Sequence, residues 1–362
     1  MTGLVITPKG MEDICCKELM ELGASPAPTD SAVTFEAKDL AAECIVAYRA
    51  QSALRVMHFL CRFQAPSLDE GIESLSQELK KCDVSSFFLG KSFKVETLRE
   101  GEHDFTSPEF SAKAGELLLS QCRTSKVKME GYECLLLVYI NGPVGYCGID
   151  LAGFDLGKRD YRLFRASTAV KAPLAYAAVR LGTEDCKKLL DPFCGAGSIA
   201  IEAAIHSTGQ AVHAYEKSKF LFSHMIDAKK IFSHKPSKQK FSIVASDAAM
   251  VNLSAAKKNA KIAGVEKLIK FSRMDLEWLD IKFGKKELDA IVTCLPTASR
   301  LLGEAVVAKI HREFFHQAEY ILNGTITALS ARPLTPPLPV VHARTVLSGK
   351  QELYLTVMKV EK

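Results

Sequence analysis

Short apolar segments alternate with amphipathic ones from the start of the chain. "TGLVITP" is short and β-branched, which is typical of a strand. The next stretch places Met11, Ile14, Leu19 and Leu22 near helical spacing and therefore predicts a helix. "SAVTFEA" then alternates apolar and polar positions as a second strand does. This alternation of short elements indicates a small α+β unit over residues 1–64.

A second unit of the same type follows. "LDEGIESLSQELKKCD" predicts an amphipathic helix and "KSFKVETLRE" an alternating strand. Ser107, Pro108 and Glu109 form a helix start, with a capping hydroxyl, a proline where no N–H is needed and an acid at the positive end of the dipole. "YECLLLVYING" and "PVGYCGIDLAG" predict a closing pair of strands. We assign this unit to residues 65–152.

The pattern changes near Leu189, where longer apolar strands begin to alternate with helices. Such a pattern is typical of a parallel, doubly wound α/β sheet. The last two β-rich runs are separated by Ser348, Gly349 and Lys350 and predict an antiparallel hairpin. The predicted strands before this hairpin are 188–191, 242–246, 269–272, 288–293 and 325–330.

Composition narrows the function classes only slightly. The net charge of +5 is compatible with a polyanionic partner but does not indicate one. Eleven cysteines without C-x-x-C spacing argue against a disulfide framework and a zinc ribbon, so we expect reduced thiols and no metal. The chain shows no signal-peptide pattern and no apolar run near the ~20 residues of a membrane span. We expect a soluble cytoplasmic protein.

A glycine-rich turn carries the clearest chemical signal. "LLDPFCGAGSIAIEAA" runs from an apolar strand through Gly195 and Gly197 into a helix, where free N–H groups can meet a ligand. The turn also fits the dinucleotide pattern G-x-G-x-x-[GA], and Glu216 lies where a ribose-binding acid belongs. Against a nicotinamide cofactor, Asp191, Asp247 and Asp275 follow three successive strands, which suits a ligand with an amine, a ribose and an adenine. Individually, Asp247 and Asp275 are also plausible helix caps.

These segments resemble a known family. "DPFCGAGS" and "SDAAMVNLSAAKKNAKIAGV" look like the first two motifs of class I S-adenosylmethionine-dependent methyltransferases. "SFKVETLREGEHDFTSPEF" resembles the THUMP signature, and "GIDLAGFDLGKRDYRLFRASTAVKAPLAYAAV" resembles the linker and first catalytic helix of RNA guanine-N2 methyltransferases that carry a THUMP domain.

The resemblance implies a Rossmann-like methyltransferase sheet with an antiparallel C-terminal hairpin, preceded by a ferredoxin-like and THUMP region. Its expected domains are 1–64, 65–152 (THUMP), a linker at 153–172 and a catalytic domain at 173–362. It also implies S-adenosylmethionine as cofactor, tRNA as partner, and a more structural role for Glu216. The implied cofactor-binding residues are Asp191, Phe193, Cys194, Gly195, Gly197, Asp247 and Asp275.

RNA contacts are expected in two places. Four cations, Lys158, Arg159, Arg162 and Arg165, interleave with two aromatic residues, a mixture suited to phosphates and unpaired bases. The alternative for this stretch is a solvated linker between domains. By resemblance alone, the candidates in the THUMP segment are Arg99, His103, Lys126 and Lys128.

The strand ending at "LDAIVTCLPT" departs from the family. The family has Asp or Asn, then Pro or Leu, Pro, and an aromatic residue, which orient the guanine amine and stack on the base. Here Cys294, Leu295, Pro296 and Thr297 occupy this catalytic frame, so a weak thiol acceptor replaces the oxygen and a hydroxyl replaces the ring.

Two alternatives for Cys294 itself are a pyrimidine-attacking nucleophile, for which no activating neighbour is evident, and a buried thiol. Three functions remain. They are a guanine-N2 methyltransferase with an atypical motif, a non-catalytic RNA-binding relative or partner subunit, and, remotely, a nicotinamide oxidoreductase.

Overall fold

The computed structural model describes residues 1–166, 170–299, 302–349 and 351–360. The contacts within these residues group the chain into two units. The first unit comprises Met1–Thr7, Cys15–Leu156 and Glu216–His234. The second comprises Pro8–Ile14, Gly157–Tyr215 and Lys235–Lys362.

The two predicted N-terminal segments share one sheet in the first unit. Its eight strands lie in the order β2-β3-β1-β4-β8-β7-β5-β6. β4 belongs to the first segment and β8 to the second, and they pair antiparallel with Met57 opposite Asp150. The elements up to residue 150 are β1 (Thr2–Ile6), α1 (Glu12–Glu21), β2 (Ser25–Thr29), β3 (Ala32–Glu36), α2 (Leu40–Arg49), β4 (Arg55–Gln64), α3 (Leu68–Leu79), α4 (Ser85–Phe88), β5 (Ser92–Glu100), α5 (Ser107–Gln121), β6 (Lys126–Val127), β7 (Cys134–Asn141) and β8 (Val144–Asp150).

Local signals in the sequence explain the boundaries of this unit. α5 begins at Ser107 with the predicted proline, but the capping hydroxyl is that of Thr106 and not that of Ser107, because the Thr106 side chain is the one that accepts the N–H of Glu109. Thr106 and Glu109 complete a capping box in which each side chain bonds the other's backbone. The predicted closing pair is the antiparallel hairpin β7–β8. The segment Glu216–His234 also belongs to this unit, where Phe220 packs edge-on against Tyr48 at 5.7 Å between ring centroids. It contains the short helix α8 (Lys229–Phe232).

The second unit contains the predicted α/β sheet. Its strand order is β11-β10-β9-β12-β13-β15-β14, parallel except for the final strands β15 and β14. Its elements are α6 (Ala172–Gly182), β9 (Lys188–Asp191), α7 (Ser198–Thr208), β10 (Ser242–Asp247), α9 (Met250–Ile262), β11 (Ile269–Arg273), α10 (Leu279–Lys282), β12 (Leu288–Cys294), α11 (Glu304–Ile321), β13 (Leu322–Ser330), β14 (Val340–Ser348) and β15 (Gln351–Lys359).

The predicted doubly wound sheet and its C-terminal hairpin are confirmed. Every predicted strand appears with its boundaries within three residues, the largest difference being β13, which begins at Leu322 rather than at 325. Lys350 of the predicted hairpin turn and residues 167–169 of the predicted linker lie outside the described residues. Because β9, β10 and β12 run parallel, their carboxyl ends meet at one edge of the sheet, where Asp191, Asp247 and Cys294 are the last residues.

Candidate active site

Asp191 is the most deeply buried acid at this edge of the sheet. Its Oδ1 accepts a hydrogen bond from the Thr293 hydroxyl at 2.7 Å. Its Oδ2 is also buried but has no hydrogen-bond partner among the described residues. Burial raises the pKa of the Asp191 carboxyl to about 7, partly offset by the hydrogen bonds from Thr293 and the backbone of Phe193. A buried oxygen without a partner is costly, so this geometry favours a polar or cationic ligand group beside it.

The glycine turn after Asp191 needs its two glycines for different reasons. Gly195 and Gly197 both adopt positive φ, at 51° and 87°, where side chains are disfavoured. A Cβ on Gly197 would lie 3.0 Å from the Cβ of Ala256 in α9. Gly197 therefore permits the close packing of α9, whereas the sequence interpretation placed ligand space there. The turn leads directly into α7, whose first N–H groups face its N-terminal end.

Asp247 holds the glycine turn in place. Its Oδ2 accepts the N–H of Gly195 at 3.0 Å, and its Oδ1 accepts from the N–H of Ala249 at 2.9 Å and the amide of Asn252 at 3.1 Å. A carboxylate has lone pairs beyond these three bonds, so it can still accept from a ligand hydroxyl. The side chain of Asp275 is exposed, just after β11. The structure thus joins Asp191 and Asp247 through the turn and leaves Asp275 at the margin.

Asn259 is a supporting residue that the sequence interpretation did not assign. It is buried in α9, and its amide donates to the carbonyls of Ala196 at 2.9 Å and Phe164 at 2.8 Å. Its Oδ1 accepts the N–H of Phe164 at 3.0 Å. The Asn259 side chain therefore fastens the 157–166 segment to the glycine turn. The sequence offered one signal for this role. Asn259 follows Ala255 and Ala256 by four and three residues, which places its amide on the apolar face of the helix.

Arg159 does not have the environment expected of an RNA-contacting residue. It is buried, and its guanidinium donates to both carboxylate oxygens of Glu202 in α7, at 3.0 and 3.3 Å. Tyr161 donates to the same carboxylate at 2.8 Å. The prediction that Arg159 contacts RNA conflicts with this buried ion pair. Lys158 and Arg165 are exposed and Arg162 is half-buried.

The candidates in the THUMP segment differ in the same way. Arg99 donates to the carbonyl of Phe105 and, at 3.1 Å, to the hydroxyl of Ser107. The Nε2 of His103 lies 2.9 Å from the carbonyl of Gly142. Lys126 and Lys128 are exposed at the edge strand β6 and just beyond it. The two lysines therefore present free surface, while the other two side chains already stabilise a turn.

The tip of β12 has fewer polar supports. Cys294 is half-buried, and burial together with the charge of Asp191 raises the pKa of its thiol to about 12. The N–H of Leu295 donates to the carbonyl of Leu329 at 2.9 Å. The carbonyl of Pro296 lies 2.9 Å from the Nε2 of His311 in α11. Thr297 is half-buried and lines an adjoining cleft.

The described residues contain no group of three or more His, Cys, Asp and Glu side chains arranged to hold a metal ion. None of the helices in the described part of the chain has the length and apolar character needed to cross a bilayer. Glu216, the residue at the ribose-acid spacing, is buried and pairs with Lys219 within the first unit.

Comparison with known proteins identifies the family. Family models match as an RlmL ferredoxin-like domain over residues 4–57, a THUMP domain over 70–150 and an RMKL-like methyltransferase domain over 159–336. The chain therefore belongs to the family of class I S-adenosylmethionine-dependent RNA methyltransferases that carry a THUMP domain, which confirms the resemblance seen in the sequence.

Two archaeal relatives cover most of the chain. The tRNA (guanine(6)-N2)-methyltransferase of Methanocaldococcus jannaschii is 28% identical over 296 residues, covering 77% of this chain and 76% of that protein. Its counterpart in Archaeoglobus fulgidus is 25% identical over 327 residues, covering 88% and 79%. The crystal structure of a possible methylase from Clostridium difficile 630 has the same fold, with a TM-score of 0.79, 20% identity and coverage of 100% and 98%.

Proposed function

We propose that this chain binds S-adenosylmethionine at the glycine turn and directs methyl transfer to the exocyclic N2 of a guanine in tRNA. The observation that carries the cofactor site is the buried, unpartnered Oδ2 of Asp191 beside the two positive-φ glycines. The cofactor's ammonium group would supply the missing partner of that oxygen. The cofactor supplies an electrophilic methyl group on its sulfonium.

The other residues of the turn would hold the remaining parts of the cofactor. Asp247 would accept hydrogen bonds from the ribose hydroxyls. Asp275, which follows the next strand, would contact the adenine end of the cofactor. The turn residues Phe193, Cys194, Gly195 and Gly197 would line the cofactor with their backbone. Asp247 and Asn259 keep this turn in one conformation before the ligand arrives, which reduces the ordering cost of binding.

The proposed substrate rests on the family and on the named activity of the two archaeal relatives. The lone pair of a guanine amine is delocalised into its ring, so the protein must orient that amine toward the methyl group. At this tip the groups available are backbone carbonyls, the neutral thiol of Cys294 and the hydroxyl of Thr297. The bond between His311 and Pro296 fixes the backbone but supplies neither an oxygen acceptor from a side chain nor a stacking ring.

These groups imply slow transfer. Loss of one well-placed polar group at a transition state costs about 10²–10³ in rate. Loss of a stacking ring costs roughly 1–3 kcal/mol more. The same observation supports the second candidate function, a non-catalytic relative that binds tRNA and cofactor without methylating. A nucleophilic role for Cys294 is disfavoured by the pKa of its thiol, because a thiol with a pKa of about 12 is almost entirely protonated at neutral pH.

RNA contact would fall to the exposed cations rather than to Arg159. In the methyltransferase unit these are Lys158, Arg165 and the half-buried Arg162. In the THUMP segment they are Lys126 and Lys128, with Arg99 and His103 contributing through the turn they stabilise.

The test is transfer of a labelled methyl group to unmodified tRNA by the full chain, with Asp191→Asn as the matched inactive control. We expect calorimetry to show cofactor binding by the unmutated chain and transfer that is slow but above that of the control. Absence of cofactor binding would contradict the whole proposal. Cofactor and tRNA binding without transfer would leave the non-catalytic function.

A further inference from the structure

A cleft of about 790 Å³ opens beside the tip of β12 within the second unit. Its walls are α11 and the proline-rich loop that follows β13, and it begins at Pro296, Thr297 and Ala298. None of the residues assigned to the cofactor lines it. Its volume falls within the ~300–1,000 Å³ of small-ligand sites. It is therefore a separate space that adjoins the tip of β12 and shares no lining residue with the glycine turn.

The lining of this cleft combines an apolar wall with a few polar groups. Phe315 and Leu334 line it together with the prolines of the loop, and Leu334 packs against the hydrophobic cluster that contains Phe315. Glu304 and Arg332 form an exposed ion pair at 3.0 Å. Arg312 is exposed, lines the cleft and makes no ion pair with any residue that the structure describes. This arginine is therefore available to an anionic ligand.

The balance of charges limits what the cleft can hold. The lining contains two arginines, Arg312 and Arg332, and two carboxylates, Glu304 and Glu319. A groove for a run of phosphates would carry an excess of cations. A planar, mostly apolar group with a single anionic charge fits better, because it can lie against prolines and Leu334 while Arg312 contacts the charge. His316 and Glu319 then offer hydrogen bonds to the edge of that group.

We propose that this cleft binds one unpaired RNA nucleotide adjoining the target guanine, with its phosphate at Arg312 and its base against the proline-rich loop. This inference rests on the proposed function, since the position of the cleft matters only if the guanine lies at the tip of β12. Continuity with Thr297 selects a nucleotide over a peptide, because the chain entering the cleft must connect to the group held at the tip. The protein then requires an unpaired segment of RNA and contacts the neighbour of the methylated base.

The experiment compares two cations of the same helix in the full chain. Arg312→Ala removes the cleft arginine, and Lys309→Ala removes an exposed cation of α11 that does not line the cleft. Binding of tRNA and of a short single-stranded oligoribonucleotide is measured across a range of salt concentrations. We expect Arg312→Ala to weaken binding by roughly fivefold and to reduce the salt slope by about 1, because one phosphate contact is lost. Lys309→Ala should leave both unchanged.

A second measurement locates the nucleotide directly. An oligoribonucleotide carrying 4-thiouridine beside the target guanine is photo-crosslinked to the unmutated chain, and the crosslinked peptides are identified. Crosslinks within residues 304–337 support the cleft. Crosslinks confined to other segments, together with equal RNA binding by both variants, overturn the inference and leave the cleft to a peptide or another ligand.

The failure of each proposal has a distinct signature. If the unmutated chain fails to transfer methyl groups but crosslinks in the cleft, the proposed catalysis fails and the nucleotide site stands. If transfer is observed but both variants bind RNA equally and no cleft peptide crosslinks, the nucleotide site fails and the catalysis stands. Calorimetry with S-adenosylmethionine should give the same affinity for both variants, which excludes a general loss of structure.

Discussion

The glycine turn and the tip of β12 lie at the same edge of one sheet, but they are supported very differently. The turn is held by Asp247, by Asn259 and by the close packing of Gly197 against Ala256. In the part of the chain that the structure describes, the tip is held by a backbone bond to Leu329 and by a contact between the Pro296 carbonyl and His311. Beside the turn, the Asp191 carboxyl has one oxygen without a partner among the described residues, while the tip carries a neutral thiol and a hydroxyl. In the proposed function, cofactor binding and catalysis therefore depend on separate sets of residues, and one set can change while the other stays.

The largest expected effect is on the buried ion pair between Arg159 and Glu202, which joins the 157–166 segment to α7. Arg159→Ala removes the guanidinium that pairs with the buried Glu202 carboxylate, and the loss of one partner of a buried pair costs about 3–5 kcal/mol of the free energy of unfolding. Denaturant unfolding of the variant and of Lys158→Ala measures this difference. Lys158→Ala should lose less than about 1 kcal/mol, because interactions of an exposed side chain are screened by water. Equal stability of the two variants, with weaker RNA binding by Arg159→Ala, would instead restore Arg159 as an RNA contact.

The second prediction concerns Asp191 and has two opposite parts. Asp191→Asn should weaken S-adenosylmethionine binding by about 10²-fold, because the cofactor's ammonium loses a buried carboxylate. At pH 8 the same change should stabilise the cofactor-free protein by roughly 1–3 kcal/mol, because it removes the cost of a buried charge. Calorimetry and thermal unfolding without cofactor measure the two parts. A variant that binds cofactor normally would show that the open Oδ2 is not the ligand site.

The sequence was sufficient for the architecture because the relevant signals are local. Apolar strand runs, the Pro108 helix start and the C-terminal hairpin each depend on a few neighbouring residues, and all appear in the structure, although the capping hydroxyl is that of Thr106 and not that of Ser107. The position of Asp191 beside Asp247 was also predictable, because parallel strands bring their carboxyl ends to one edge of the sheet.

The sequence does not show which charged residues pair with each other when they lie far apart along the chain. Nothing in "GKRDYRLFR" distinguishes Arg159, which pairs with Glu202, from its exposed neighbour Lys158. The only hint was Glu202 itself, a single acid within the apolar helix "SIAIEAAI". The Gly197 packing contact likewise depends on where α9 lies. Whether a charged side chain is buried depends on the tertiary fold. The periodicity of apolar residues predicts that Glu202 lies on a helix, but it does not predict which cation pairs with it.

The third prediction is a pH dependence at the turn. The pKa of Asp191 is raised to about 7, so the folded protein holds a proton that the unfolded chain has lost above about pH 4. The stability associated with this proton is present below about pH 4 and is lost as the pH rises through about 7. The deprotonated form is the one that attracts a cation, so cofactor affinity should rise about tenfold from pH 6 to pH 8.

The surroundings of Asp191 make this assignment specific. Asp247 raises its pKa through repulsion, and the neighbouring thiols of Cys194 and Cys294 have raised pKa values and stay neutral in this range. Calorimetry across the pH range should therefore show the rise in the unmutated chain and a flat profile in Asp191→Asn. A rise of the same size in the variant would assign the titration to another group.

The smallest expected effect is a gain at the tip of β12. Replacing Thr297 with Phe restores a stacking face, and replacing Cys294 with Asn or Asp restores an oxygen acceptor. Burial and, after it, the charge of Asp191 raise the pKa of the thiol at position 294, so a second carboxylate there would take up a proton or repel Asp191. We therefore expect Cys294→Asn with Thr297→Phe to increase methyl transfer more than Cys294→Asp with Thr297→Phe.

The size of this gain is limited by the supports of the tip. We expect about tenfold for the amide variant rather than the ~10²–10³ of a well-placed acceptor, because misplacement by about 1 Å can cost ~10²-fold. Transfer of a labelled methyl group to tRNA is compared for the unmutated chain, both double variants and Cys294→Ala. Activity that is robust in the unmutated chain and collapses in Cys294→Ala would make the thiol a working group. A gain in methyl transfer by the amide variant, with no change in cofactor affinity, would show that the turn still binds the cofactor and that only the tip of β12 has lost the family's catalytic groups.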